Sequence, residues 1–233
     1  MVKARSSHAQ SSSANGSLPP LESGDRLTRQ EFERRYHAMP HLKKAELIEG
    51  VVYVPSPLRF EPHAEPHGQL ITWLGVYQAM TGGVRMGDNP TVRLDLDNEP
   101  QPDAVLLISD AVGGQSRLSS DGYIEGAPEL VAEVAASSAA YDLYDKKNAY
   151  RRNGVQEYIV WQVLDQKLDW FVLRGGEYIA QETNVDIIRS EGFPGLWLAV
   201  TALLDGDMTK VLATVQEGIR SPEHEAFVQR LRI

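Results

Sequence analysis

Two acids interrupt runs that otherwise read as buried strand: Asp103 at the head of "QPDAVLLIS" and Glu133 inside "PELVAEVAASS". An ionised carboxylate removed from water is strongly disfavoured unless it is paired or bound to a metal. If the two strands pair as neighbours, their acids lie about 4.8 Å apart across the ladder, where like charges repel unless a cation stands between them. Mg²⁺ or Mn²⁺, held by one or two carboxylates, waters and a substrate phosphate, satisfies that demand. The backbone carbonyl of Val134 completes the protein's share. The alternative for Glu133 is an edge strand with the side chain in solvent.

A cation site that cleaves phosphodiesters gains from a positive side chain that orients the attacking water or stabilises developing charge. Lys146 can reach it. Six residues of helix return about 9 Å along a strand, and the three strand residues from Ala136 back to Glu133 span about 10 Å, so the two side chains stand at similar heights. The competing reading is a surface pair with Asp142 at i,i+4. If Lys147 points inward instead, the assignment moves by one residue.

The elements that must position these groups follow from local pattern. Residues 1–24 are rich in Ser, Ala, Pro and Gly and read as a disordered tail; residues 25–233 read as a single domain ending in helices. "TRQE" at Thr28–Glu31 is a capping box opening a helix to about His37. Glu49-Gly50 breaks a strand pair, Leu47-Ile48 and Val51–Val54. A helix runs from about Ala64 to Met80, stopped by Gly82-Gly83. Strands follow from Thr91, Pro102 and Glu129, with a polar, Gly-rich loop over residues 110–127. The stretch "AAYDLYDKKNAYRRNG" is a helix capped by Gly154, followed by the strands "QEYIVWQVL", "KLDWFVL" and "EYIAQET". The expected fold is mixed α/β, a central mixed sheet flanked by helices.

Composition limits the function. At 233 residues and 42% hydrophobic, the chain can bury one substantial core. With no cysteine, any metal is held by oxygen or histidine. A formal charge of -9 argues against a coat of basic residues for nonspecific nucleic-acid binding but leaves room for a local basic groove. No apolar run is long enough for a membrane span and no secretory h-region is seen, so a cytoplasmic setting is expected. Neither a Gly-x-Ser-x-Gly elbow nor a phosphate-binding glycine loop occurs.

Pro102-Asp103, Glu133, then "YDLYDKKNAYRRNGVQEYIVW" together resemble the PD-(D/E)xK nuclease superfamily, and within it the Uma-type restriction endonuclease group. The resemblance extends from Glu46, in "ELIEGVVYVPSP", to about Leu203. It implies a restriction-endonuclease-like fold and Mg²⁺- or Mn²⁺-dependent hydrolysis of DNA. Asp103 and Glu133 are then metal ligands, Lys146 the catalytic lysine, Glu46 an extra acid beside the metal, and His67 and Tyr150 site neighbours. The general superfamily signature has its lysine two residues after the acid, where Ala135 stands here; the Uma-type arrangement carries it on the following helix.

Other residues keep two readings. His67 is either a half-buried structural histidine or a site residue, and His41, His63 and His224 show no metal-ligand spacing. Lys147, Arg151 and Arg152 make either a DNA-facing stripe with Lys146 or a solvated helix end that complements the dipole. Tyr158, Trp161, Trp170, Phe171 and Trp197 are expected to leave aromatic surface that a twofold homodimer covers. Two other functions compete with the endonuclease: a catalytically inactive nuclease fold that binds DNA or protein, and a carboxylate-pair glycosidase.

Overall fold

The computed structural model describes residues 18–55, 59–136, 141–182 and 185–232. Most of the expected tail lies outside them, but Leu21 is already packed against Phe32, Ala45, Leu47 and Val52. Helix α1 (Arg29–His37) opens on Thr28, whose Oγ1 accepts the Glu31 N–H at 3.4 Å. Such a cap is worth about 1 kcal/mol. Glu31 does not close a capping box, because its carboxylate takes Arg34 and Arg35 instead. Strands β1 (Glu46–Ile48) and β2 (Val51–Tyr53) form a hairpin through Glu49 and Gly50, at φ 53° and 71°. Positive φ at both positions is what a two-residue type I′ turn requires.

A π-type turn (Phe60–Ala64) runs into α2 (Glu65–Met80). Then come β3 (Val84–Asp88), β4 (Val92–Arg93), β5 (Ala104–Ile108), β6 (Arg117–Leu118), β7 (Ile124–Glu125) and β8 (Leu130–Ala135). A second π-type turn (Asp142–Lys146) leads into α3 (Lys147–Asn153), which ends on Gly154 in the left-handed region, φ 86°. The meander β9 (Glu157–Gln162), β10 (Lys167–Arg174) and β11 (Glu177–Ala180) follows. The chain closes with β12 (Ile187–Arg189), β13 (Trp197–Ala199), α4 (Val200–Leu204), α5 (Met208–Ile219) and α6 (Pro222–Arg230).

The central sheet has the order β11-β10-β9-β8-β5-β3, with β8 and β9 parallel and the other neighbours antiparallel. The fold is therefore mixed α/β. Alternation splits β5 and β8 between two cores. Ala104, Leu106, Leu130, Ala132 and Val134 face α2 and the C-terminal helices. Val105, Leu107, Val131 and Ala135 face α3 and the small sheet of β4, β6 and β7. Glu133 shares parity with this second set, and β8 lies inside the sheet, so the edge-strand reading of Glu133 fails.

Four readings are corrected here. The strand from Thr91 shrinks to Val92–Arg93, because Asp95 takes the Asp97 N–H and the Asn98 amide and turns the chain. Residues 110–127 are not plain loop: β6 and β7 pair there, and β7 adds to β4. The strand β3 was not anticipated. Four of the five aromatics expected on the surface are buried instead, with Tyr158 and Trp170 at 0% exposure, Trp161 at 4% and Phe171 at 7%, and Trp197 is half-buried. Their burial withdraws the ground on which they called for a second chain.

Candidate active site

The register of β5 and β8 pairs Ala104 with Ala132, which sets Asp103 beside Glu133 at the end of the ladder. Backbone and carboxylates interlock there. The Val134 N–H donates to Asp103 Oδ2 at 2.7 Å, and the Asp103 N–H reaches Glu133 Oε2 at 3.4 Å. Both acids are 3% exposed.

The cation that such a pair demands is supplied by the chain itself. Lys146 Nζ lies 3.0 Å from Glu133 Oε1, 2.9 Å from Glu46 Oε1 and 3.6 Å from Asp142 Oδ1. Glu46 is held on β1 by the Gln101 N–H at 2.7 Å, and the Tyr150 hydroxyl donates to Glu133 Oε1 at 2.9 Å. The Asp142–Lys146 pair exists, but it is buried and shared with two more acids, not the surface pair of the competing reading. Lys146 stands in a π-type turn and not in regular helix. Such turns recur at functional sites because the extra residue per turn redirects side chains.

The two β-strand acids are driven apart in acidity. Burial alone would raise Asp103, yet the His63 hydrogen bond, the Lys44 and His63 charges and the Val134 N–H hold it down at about 2. Burial pushes Glu133 up to about 8 against the pull of Lys146, with Asp103, Asp142 and Glu46 adding to the rise. Burial works against the Lys146 charge, but Glu133, Glu46 and Asp142 outweigh it and keep the ammonium well above the ordinary lysine range. The two carboxyl groups are thus pushed in opposite directions, Asp103 down by its cationic neighbours and Glu133 up by burial, a separation of acidities of the kind acid–base sites use.

His67 reaches the same place from α2, with Nε2 at 3.2 Å from the Asp103 carbonyl and 3.0 Å from Asp88 Oδ1. Sequence reasoning missed His63, whose Nε2 is 3.4 Å from Asp103 Oδ2, and Lys44, whose Nζ is 3.7 Å from Asp103 Oδ1. Its dismissal of His63 is corrected: the i,i+4 interval to His67 was the available signal. Tyr141, tilted against Tyr53 with centroids 4.1 Å apart, lies under Lys146. Lys147, Arg151 and Arg152 are not brought to the acids and do not form one stripe. Lys147 Nζ lies 3.6 Å over the Phe171 ring, Arg151 bonds Gly176 and Glu177, and Arg152 bonds Glu49.

Residues 29–201 match the Uma2 family, described as "Putative restriction endonuclease". The chain belongs to the Uma2 family. Among solved structures it is similar to a putative nuclease belonging to DUF820 from Anabaena variabilis ATCC 29413, at 13% identity and a TM-score of 0.54. That likeness covers 74% of this chain and 96% of the other, and it bears on the fold, which is restriction-endonuclease-like. No curated protein matches the chain. Within this Uma2 chain, β8 carries Ala135 where the general superfamily signature has lysine, and the lysine ammonium beside Glu133 comes from the π-type turn instead.

Proposed function

We propose that this Uma2 protein is a divalent-metal-dependent endonuclease that hydrolyses DNA phosphodiester bonds. The observation that carries the reading is the convergence of Asp103, Glu133, Glu46 and Lys146, drawn from separate elements, into one buried cluster beside a strand end. Its oxygen donors fit a hard cation: Asp103 is ionised, Glu133 is adjacent, and the Val134 carbonyl lies on the same strand edge as the N–H that meets Asp103. A bound Mg²⁺ or Mn²⁺ would polarise the phosphate and acidify a water.

The chain's own residues do the rest. Asp103 and Glu133 would hold the ion. Glu133 and Glu46 together fix the Lys146 ammonium beside that place. Lys146 is thereby directed at the charge that builds on the phosphate oxygens, and Tyr150 keeps the Glu133 carboxylate in its rotamer. The reading includes a cytoplasmic setting and a homodimer, which rest on the resemblance to Uma-type nucleases.

The test is a cleavage assay over single-stranded, duplex and structured DNA with Mn²⁺ or Mg²⁺, comparing the parent with Asp103→Asn. Metal-dependent strand scission lost in the variant supports the reading. Metal binding without scission on any DNA removes the enzyme reading, and metal-free sugar cleavage removes the nuclease reading.

A further inference from the structure

His63 has no place in the oxygen-ligand site just described, yet the chain spends an unusual turn on it. The π-type turn Phe60–Ala64 feeds directly into α2, and His63 and His67 emerge on one side with ring centroids 5.8 Å apart and planes crossed at 81°. One ring nitrogen of each and a carboxylate oxygen of Asp103 all lie within 4.8 Å of one another. Three donors at such mutual distances can reach one ion at bonds of about 2.0–2.2 Å after small side-chain adjustments. The two histidine side chains retain 12% and 14% exposure, so an ion can arrive from solvent.

One further detail points to a ligand. His63 Nδ1 is buried with no hydrogen-bond partner among the described residues, an unusual state for a polar atom in a folded chain. His67 Nε2 is shared by Asp88 Oδ1 at 3.0 Å and the Asp103 carbonyl at 3.2 Å, contacts that hold the ring against the start of β5. Lys44, 3.7 Å from Asp103 Oδ1, 3.4 Å from Asn89 Oδ1 and with its side chain 25% exposed, is the cation that an arriving ion would displace.

We infer that His63, His67 and Asp103 form a binding site for a transition-metal dication such as Mn²⁺, Co²⁺ or Zn²⁺, in preference to Mg²⁺, with its remaining positions open to water and to an anionic oxygen. The preference follows from the donors. Imidazole nitrogen suits borderline metals, whereas Mg²⁺ demands near-octahedral oxygen and gives up its water reluctantly. The site shares only Asp103 with the Asp103–Glu133 pair and stands whether or not the chain cleaves DNA.

The test reads the ion, not catalysis. The chelator-treated protein is titrated with Co²⁺ while its visible ligand-field absorption is followed, for the parent, His63→Gln, His67→Gln and Glu133→Gln, with and without 100-fold excess Mg²⁺ (about that ratio suffices to expose any real competition). The expected result is saturable binding that Mg²⁺ does not displace, weakened at least about tenfold by either histidine substitution and kept in Glu133→Gln. X-ray absorption on the unaltered protein loaded with one equivalent of Zn²⁺ should show imidazole scattering from two histidines, which keeps the test decisive even if a variant misfolds. A shell without imidazole, displacement by Mg²⁺, or folded histidine variants that bind as tightly as the parent overturns the inference.

Discussion

Replacing Lys146 with Met keeps most of the aliphatic stem and removes a charge on which three acids depend. The ammonium is 2.9 Å from Glu46, 3.0 Å from Glu133 and 3.6 Å from Asp142, and all four side chains are nearly inaccessible. At an effective dielectric near 20, a contact at about 3 Å is worth about 5 kcal/mol. Desolvation of the ammonium offsets several kcal/mol of this, so breaking the cluster should destabilise the protein by about 3–5 kcal/mol. The loss should depend on pH. Burial already pushes Glu133 up to about 8 with the ammonium beside it, and losing the ammonium raises it further, so the two proteins differ in bound protons only from about pH 8 upward and the deficit grows there. Urea denaturation of the parent and Lys146→Met at pH 5, 7 and 8.5 measures this. The double variant Lys146→Met/Glu133→Gln should recover part of the deficit at the highest pH. Cleavage, where the parent shows it, should fall by at least about a hundredfold because one positioned transition-state contact is lost. Lys147→Met should lose only the contact with Phe171, about 0.5–1 kcal/mol. A Lys146→Met protein as stable as the parent at every pH would refute the claim that this ammonium holds the acids together.

Two further perturbations probe the frame. Burial, helped by the neighbouring Glu33, pushes Glu99 up to about 8, so the native chain keeps a proton that the unfolded chain loses above pH 4.5. Stability should therefore fall between pH 4.5 and 8 by up to about 1.4 kcal/mol per pH unit, and Glu99→Gln should flatten that slope in denaturation curves. A Cβ at Gly218 would stand 2.2 Å from the Gly195 carbonyl and 2.8 Å from the Trp197 ring, so Gly218→Ala should lower stability by about 1–3 kcal/mol in thermal melts and leave metal binding unchanged.

What could be read from sequence was whatever a single strand or helix decides. Asp103 and Glu133 stood out because apolar runs on either side forced them inward, and the capping Thr28 and the Glu49-Gly50 turn are local chemistry. Counting rises brought Lys146 to the height of Glu133 but left Lys147 open, and the π-type turn decides between them. Glu46 came only through family resemblance, since nothing in "AELIEG" tells its acid from a surface one. His63 was passed over although its i,i+4 interval to His67 was readable, because the acid that both rings approach, Asp103, is brought to them only by tertiary packing. The strand β3 was lost because Arg85, Gly87 and Asp88 break the pattern, as an edge position tolerates. The aromatics misled because helices and the small sheet cover both faces of the meander, and their extent cannot be counted from β9 and β10 alone.

Glu46 and Lys146 hold each other from 100 positions apart, with β2 through β8 between them in sequence. A nascent chain leaving the ribosome therefore carries the hairpin and both strand acids well before it carries their cation. Until Lys146 emerges and the π-type turn closes over β8, Glu133 faces a half-built core with no ammonium beside it, and the parallel β8–β9 pairing that fixes the turn has not formed. Assembly of this cluster thus waits for the second half of the chain, and fragments that end before α3 should be inert however well their early strands pair.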